Sequence, residues 1–150
     1  MKFDHISFRD GADITEVDLR GIEERYSVQF SEEYRTFMLT HNGGEITPNG
    51  FDFEKISDSS TVRYFYSINH KAEYRNLLKI FEIFVDSGRL PPNLMPIGTD
   101  DFGNLICIST RGDNTFGCIY FWDHEMEGSK KAISSLAVSF NTFLERIYEI

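Results

Sequence analysis

Apolar residues follow a helical period in the first part of this chain and a strand-like one in the middle. From Thr15 to His41 they recur at helical spacing. Thr15-Glu16-Val17-Asp18 is a helix start, with a hydroxyl for the free amides and acids in the first turn. Asp18 stands where a capping box usually carries Glu or Gln. Leu19, Ile22 and Tyr26 then share one face, and Arg20, Glu23 and Glu24 fall outside it. Ser27-Val28-Gln29-Phe30 breaks the period. Ser31 caps a second helix whose apolar stripe is Tyr34, Phe37 and Met38. His41-Asn42-Gly43-Gly44 stops it, with a glycine in the left-handed conformation.

Beyond that point the pattern changes. Phe51-Asp52-Phe53 alternates as a strand end does, Lys55 to Ser60 reads as a loop, and Val62-Arg63-Tyr64-Phe65-Tyr66 reads as a strand. A third helix is predicted from about Glu73 to Asp86, with Leu77, Phe81, Phe84 and Val85 inward. Gly88 ends it and Pro91-Pro92 prevents continuation. Met95-Pro96-Ile97 leads into an acidic turn bounded by Gly98 and Gly103, and Leu105 to Ser109 follows as a nearly continuous apolar strand. After the turn residues Arg111 to Asn114, Cys118 to Trp122 is its pairing partner. A loop symmetric about Gly112 and Asp113 would set Cys107 opposite Cys118, and a slip would separate them. The last helix is predicted over roughly Ser139 to Glu149, with Phe140, Phe143, Leu144 and Ile147 on one face. Helices that lead and close the chain around clustered strands indicate an α+β fold. Residues 1–150 read as one domain with no repeat or linker.

Charge narrows the partners. The 24 acids outweigh the 15 bases, for a net charge of −9, which argues against nucleic acid or an anionic membrane as direct partners and favours a basic one. No apolar run approaches the ~20 residues of a membrane helix. Met1-Lys2-Phe3-Asp4-His5 lacks a signal peptide's apolar core, so a cytoplasmic location is expected.

Candidate chemistry is sparse. Asp100-Asp101 could be paired carboxylates, but their glycine-bounded setting suits a turn that aspartate stabilises locally. His124-Glu125 beside Asp123 invites a metal reading. However, H-E-x-x-H is absent because residue 128 is glycine, and adjacent ligands on a strand face opposite ways. Cys107 could be a nucleophile with His41, His70 or His124 as base, yet Ile106-Cys107-Ile108 reads as core. No phosphate-binding glycine motif occurs, and no cofactor or metal is expected. Trp122 is either core or an exposed partner anchor. Asp52, Glu54, Asp58, Asp100, Asp101, Asp123, Glu125 and Glu127 are either a solvated surface or a negative patch for a basic partner.

Several segments in order carry a resemblance: Phe30-Ser31-Glu32-Glu33-Tyr34-Arg35-Thr36-Phe37-Met38 with His41-Asn42-Gly43-Gly44, then Met95 to Ile108, then Ile119-Tyr120-Phe121-Trp122-Asp123-His124-Glu125, and finally Leu136 to Leu144. From about residue 16 to 148 the chain resembles the SUKH superfamily, which includes a fungal cell-wall-assembly regulator domain and many bacterial proteins. Phe30-Ser31 departs from the usual Leu-Pro, and Phe51 to Gly88 matches poorly, which marks it as the expected seat of specificity. The resemblance implies a largely antiparallel sheet packed by N-terminal, middle and C-terminal helices. It implies no catalytic residues. It also implies a non-enzymatic immunity protein that binds and blocks a cognate toxin, often a nuclease or deaminase. Such a toxin needs a basic cleft, which an acidic inhibitor could cover. The expected partner-binding residues are Asp100, Asp101, Trp122, Asp123 and Glu125, with Tyr64 and Tyr66 as further aromatic anchors. The alternatives are a general binding or regulatory scaffold, or a small metal-dependent hydrolase using Asp100, Asp101 and His124.

Overall fold

The computed structural model describes residues 3–150; Met1 and Lys2, part of the stretch read above for a signal peptide, lie outside the described residues. The chain opens with a short strand, β1 (Ser7–Arg9), followed by α1 (Glu16–Tyr26) and α2 (Glu32–His41). At the start of α1 the Asp18 carboxylate accepts from the Thr15 backbone N–H at 2.8 Å, so aspartate serves in the capping box. Ser31 caps α2 by accepting from the Tyr34 N–H at 3.4 Å. The left-handed residue after α1 is Ser27; after α2 Asn42 takes that role, and Gly43 and Gly44 follow it at positive φ as a glycine was expected to. Asn42 is buried because its amide clamps three backbone groups. Nδ2 donates to the Ala12 and Ile68 carbonyls and Oδ1 accepts from the Ile68 N–H. Asparagine tolerates left-handed φ and can make these bonds, which glycine cannot.

The short strands β2 (Glu45–Thr47), β3 (Gly50–Asp52), β4 (Ser59–Thr61) and β5 (Tyr64–Phe65) come next. β1 pairs with β2 and β3 with β4, both antiparallel. The loop expected over residues 55–60 is present but ends at residue 58, because Ser59 and Ser60 belong to β4, where polar residues conceal the pairing. A single 3₁₀ turn (Glu73–Arg75) then precedes α3 (Leu77–Phe84), because Asn76 caps α3 by accepting from the Lys79 N–H. The predicted third helix is therefore divided.

The central sheet adds β6 (Leu94–Thr99), β7 (Leu105–Ser109), β8 (Ile119–Trp122) and β9 (Ile133–Ala137) to β5 in an antiparallel meander, β5-β6-β7-β8-β9. α4 (Phe140–Glu145) closes the chain and is shorter than predicted. Side chains alternate across the sheet. Phe121 on one face meets Phe51 and Phe53, and the same side packs Phe65 against Phe140 and Phe143. Trp122 points the other way, and its ring meets Phe84 of α3 edge-on at 5.7 Å. In the register Cys107 lies opposite Tyr120, not Cys118. The loop is centred one residue later than assumed, which shifts the pairing by two. α2 packs on α4 through Tyr34, Phe37 and Phe140.

α1 and α2 are also joined by charge. Glu23, expected outside the buried face, is one of the few buried charged residues. Its carboxylate accepts from the Phe30 N–H at 2.8 Å and from the Arg35 guanidinium. Arg35 further meets Glu16, with Glu32 at 3.9 Å. A nearly buried carboxylate is tolerated because the Arg35 guanidinium and the Phe30 N–H both satisfy it.

Candidate partner-binding site

The two aspartates of the acidic turn have opposite environments. Asp100 is only 2% exposed. Its Oδ1 accepts from the Phe102 and Asn104 N–H groups, both at 2.9 Å. Its Oδ2 accepts from Asn104 Nδ2 at 3.0 Å and from the Ser60 hydroxyl at 3.2 Å. These four bonds hold the β6–β7 turn in shape from within. Asp101 points outward and accepts from the Thr61 hydroxyl at 2.7 Å. Gly103 completes the turn at φ +83°, where an L side chain is strained.

Asn104, which the sequence did not single out, joins this turn to the segment after β8. Its Nδ2 donates to Asp100, so its Oδ1 is the acceptor. That oxygen takes the His124 backbone N–H at 3.1 Å and His124 Nδ1 at 2.7 Å. An amide oxygen only accepts, so the proton sits on Nδ1. Asp123 caps the 3₁₀ turn His124–Met126 by accepting from the Glu125 N–H at 3.0 Å. Two loops distant in sequence are thereby held as one rim.

At its tip stands Phe102, 74% exposed. A large apolar side chain left in water at the apex of a braced turn is the informative observation, because it is held out by the polar bonds beneath it. Met126 is also exposed on the second loop. Asp101 and Glu125 flank these residues, and among the described residues no ion pair reaches either carboxylate. Glu127 is engaged differently: Arg89 donates to it at 3.0 Å and holds its carboxyl below the usual range. Ser60 and Thr61 of β4 reach this rim from the middle of the chain.

The structure thus separates the expected site residues. Asp101, Asp123 and Glu125 lie at the rim, with Asp123 half-buried and the other two exposed. Asp100 and Trp122 are corrections, because both are interior and neither offers a surface to a partner. Asp100 is consumed by the turn's backbone amides, and Trp122, 1% exposed, is covered by Phe84 and by Arg89, whose guanidinium lies 5.8 Å from its ring. Tyr64 and Tyr66 are buried too, and burial raises both phenols. Phe102 was missed, although an aromatic between acidic turn residues and glycine was visible in the sequence.

The chemical alternatives lose their geometry. Asp100 has its oxygens committed to four donors, and His124 Nδ1 donates to Asn104. Among the described residues no three His, Cys, Asp or Glu side chains converge in a metal-binding group. Cys107 is wholly buried, and burial pushes its thiol up, away from a nucleophilic thiolate. Burial likewise raises Cys118, aided by the nearby Glu54 carboxylate. Both cysteines are free. Among the described residues no helix is long and apolar enough to cross a membrane.

Comparison with known proteins gives two findings. The model of the SMI1 / KNR4 family (SUKH-1) matches residues 13–146. An SPbeta prophage-derived uncharacterized protein, YokK, of Bacillus subtilis (strain 168) is 26% identical over 147 residues, covering 87% of this chain and 72% of that relative.

Proposed function

The chain belongs to the SMI1 / KNR4 family (SUKH-1), and on that premise we propose that it is a non-enzymatic immunity protein that binds a cognate toxin domain and blocks it stoichiometrically. The single observation that carries the reading is Phe102, held out in water on a turn braced by Asp100 and flanked by Asp101 and Glu125, which no ion pair among the described residues reaches. A protruding aromatic with little conformational freedom is the kind of side chain that anchors an interface. Acids around it steer a basic surface to the contact and suppress uncharged or acidic competitors. A toxin that attacks nucleic acid has such a surface, since its substrate is a polyanion. Ser60 and Thr61 bond to Asp100 and Asp101 from the middle segment, so a sequence change there would reach the rim and alter the choice of toxin.

The test is direct. Purified protein titrated against the toxin domain encoded beside it should abolish toxin activity at a one-to-one ratio. Phe102→Ala should raise the Kd by about thirtyfold or more, the size of an interface hot spot. If excess protein leaves that activity unchanged, the immunity reading is wrong. If the protein instead captures a chain that is not a toxin through the same rim, the regulatory scaffold reading takes its place.

A further inference from the structure

In a chain of net charge −9, one groove has a local excess of positive charge. It lies beside the β1–β2 ribbon, encloses about 430 Å³, and is lined by Ser7, Arg9, Glu45, Thr47, Asn49 and Arg63 among others. Arg9 and Glu45 are cross-strand neighbours, and their ion pair spans 3.5 Å. Arg75, which is not among the lining residues, reaches the same Glu45 carboxylate at 3.7 Å. One acid is thus shared by two guanidinium groups. Arg63 is exposed and has no ion pair among the described residues; its guanidinium carbon lies 5.9 Å from the centre of the Tyr64 ring, with Arg75 at 4.4 Å from the same ring.

The charges therefore do not cancel. Two arginines share one glutamate while a third, Arg63, lines the same groove, and Arg75 can satisfy that glutamate without help. Arg9, with a side chain 82% exposed, is held only by a surface ion pair, which is weak and readily exchanged. Arg9 and Arg63 then supply two planar donor forks to a groove that also carries the Ser7 and Thr47 hydroxyls; the Asn49 amide, in the same lining, already donates to the Val62 carbonyl. Gly44 keeps the ribbon close, since a Cβ there would overlap the Arg9 carbonyl oxygen. Guanidinium forks match tetrahedral phosphate oxygens, and a phosphomonoester carries about −1.5 to −2 at neutral pH, which is the charge the pair lacks.

We propose that this groove is an oxyanion site that takes a phosphate dianion, either free or as a phosphomonoester. It is distinct from the Phe102 rim and does not depend on the immunity reading. The test uses the full chain labelled for NMR, titrated with inorganic phosphate and, separately, with O-phosphoserine. Chloride at matched ionic strength is the control for screening. Saturable shifts are expected at Ser7, Arg9, Glu45, Thr47 and the Arg63 side chain. Arg63→Gln should weaken binding about tenfold, whereas Glu45→Gln should tighten it by removing the competing carboxylate. Tighter binding of phosphoserine than of phosphate identifies the ester as the source; equal binding identifies the free ion. The proposal is overturned if chloride reproduces the shifts, if the shifts do not saturate, or if Arg63→Gln with unchanged circular dichroism binds as the parent does.

Discussion

Where α1 meets α2, the carboxylates of Glu16, Glu23 and Glu32 converge on Arg35, whereas at the rim formed by the β6–β7 turn and the segment after β8 no ion pair among the described residues reaches Asp101 or Glu125. Both regions are acidic in sequence. In the first, counter-charge and a backbone amide satisfy the acids and the result is cohesion between helices. In the second, the interior acid Asp100 is spent on the turn itself, and its neighbours remain available. The contrast teaches that an acidic residue is informative about partners only once its local donors have been counted. It also separates two kinds of mutant: damage at Arg35 should read out as lost stability, damage at Phe102 as lost affinity.

Alkaline titration should produce the largest effect, on the helices through Tyr26 and Tyr34 and at the sheet edge through Tyr66, whose phenol burial also raises. Burial, with Asp86 nearby, pushes the Tyr26 phenol up to about 12, and burial raises the wholly buried Tyr34 further. A group whose folded pKa is raised stabilises the native state fully below the unfolded value, near 10, and loses that contribution as pH climbs through the folded value. Denaturant midpoints should hold below pH ~10 and fall steeply towards pH ~12. Tyr34→Phe should move that fall upward, since the Tyr34 hydroxyl is buried with no partner. A flat profile across this range would mean that these phenols are not held in the interior.

Glu23→Ala should cost about 3–5 kcal/mol in urea unfolding. It leaves Arg35 nearly buried with less counter-charge and the Phe30 N–H unpaired. Toxin affinity of the folded fraction should be unchanged; a matched loss of affinity would mean that the two regions are coupled.

Asp100→Ala belongs to both sides of the comparison and should cost about 2–3 kcal/mol of stability by orphaning the Phe102 and Asn104 amides. It should also weaken partner binding by loosening Phe102. Phe102→Ala should leave the unfolding free energy within about 0.5 kcal/mol while costing about 2 kcal/mol of binding. The smallest effect is expected from Asp101→Asn and Glu125→Gln, each under about 1 kcal/mol in affinity. It should appear as a slower association rate and a shallower salt dependence in surface-binding kinetics.

Much of the fold was legible because its signals are local. Capping by Thr15 and Ser31, the stripes Leu19/Ile22 and Tyr34/Phe37/Met38, and the runs Leu105–Ser109 and Ile119–Trp122 all act over a few residues. The strands β1, β2, β4 and β9 were not legible, because short polar or mixed segments become strands only by finding an edge. Glu23 was misplaced for a related reason: its partner Arg35 lies on another helix.

At the rim, the sequence by itself determined that a glycine-bounded acidic turn separates two core strands, and that its charge is negative. Tertiary structure alone decided that Asp100 turns inward, that Trp122 is covered by Phe84, and that Asn104 ties the turn to His124. The physical reason is range. Turn chemistry and periodicity are set by neighbours along the chain, but burial depends on which distant element covers a given face, and no period in the sequence encodes that.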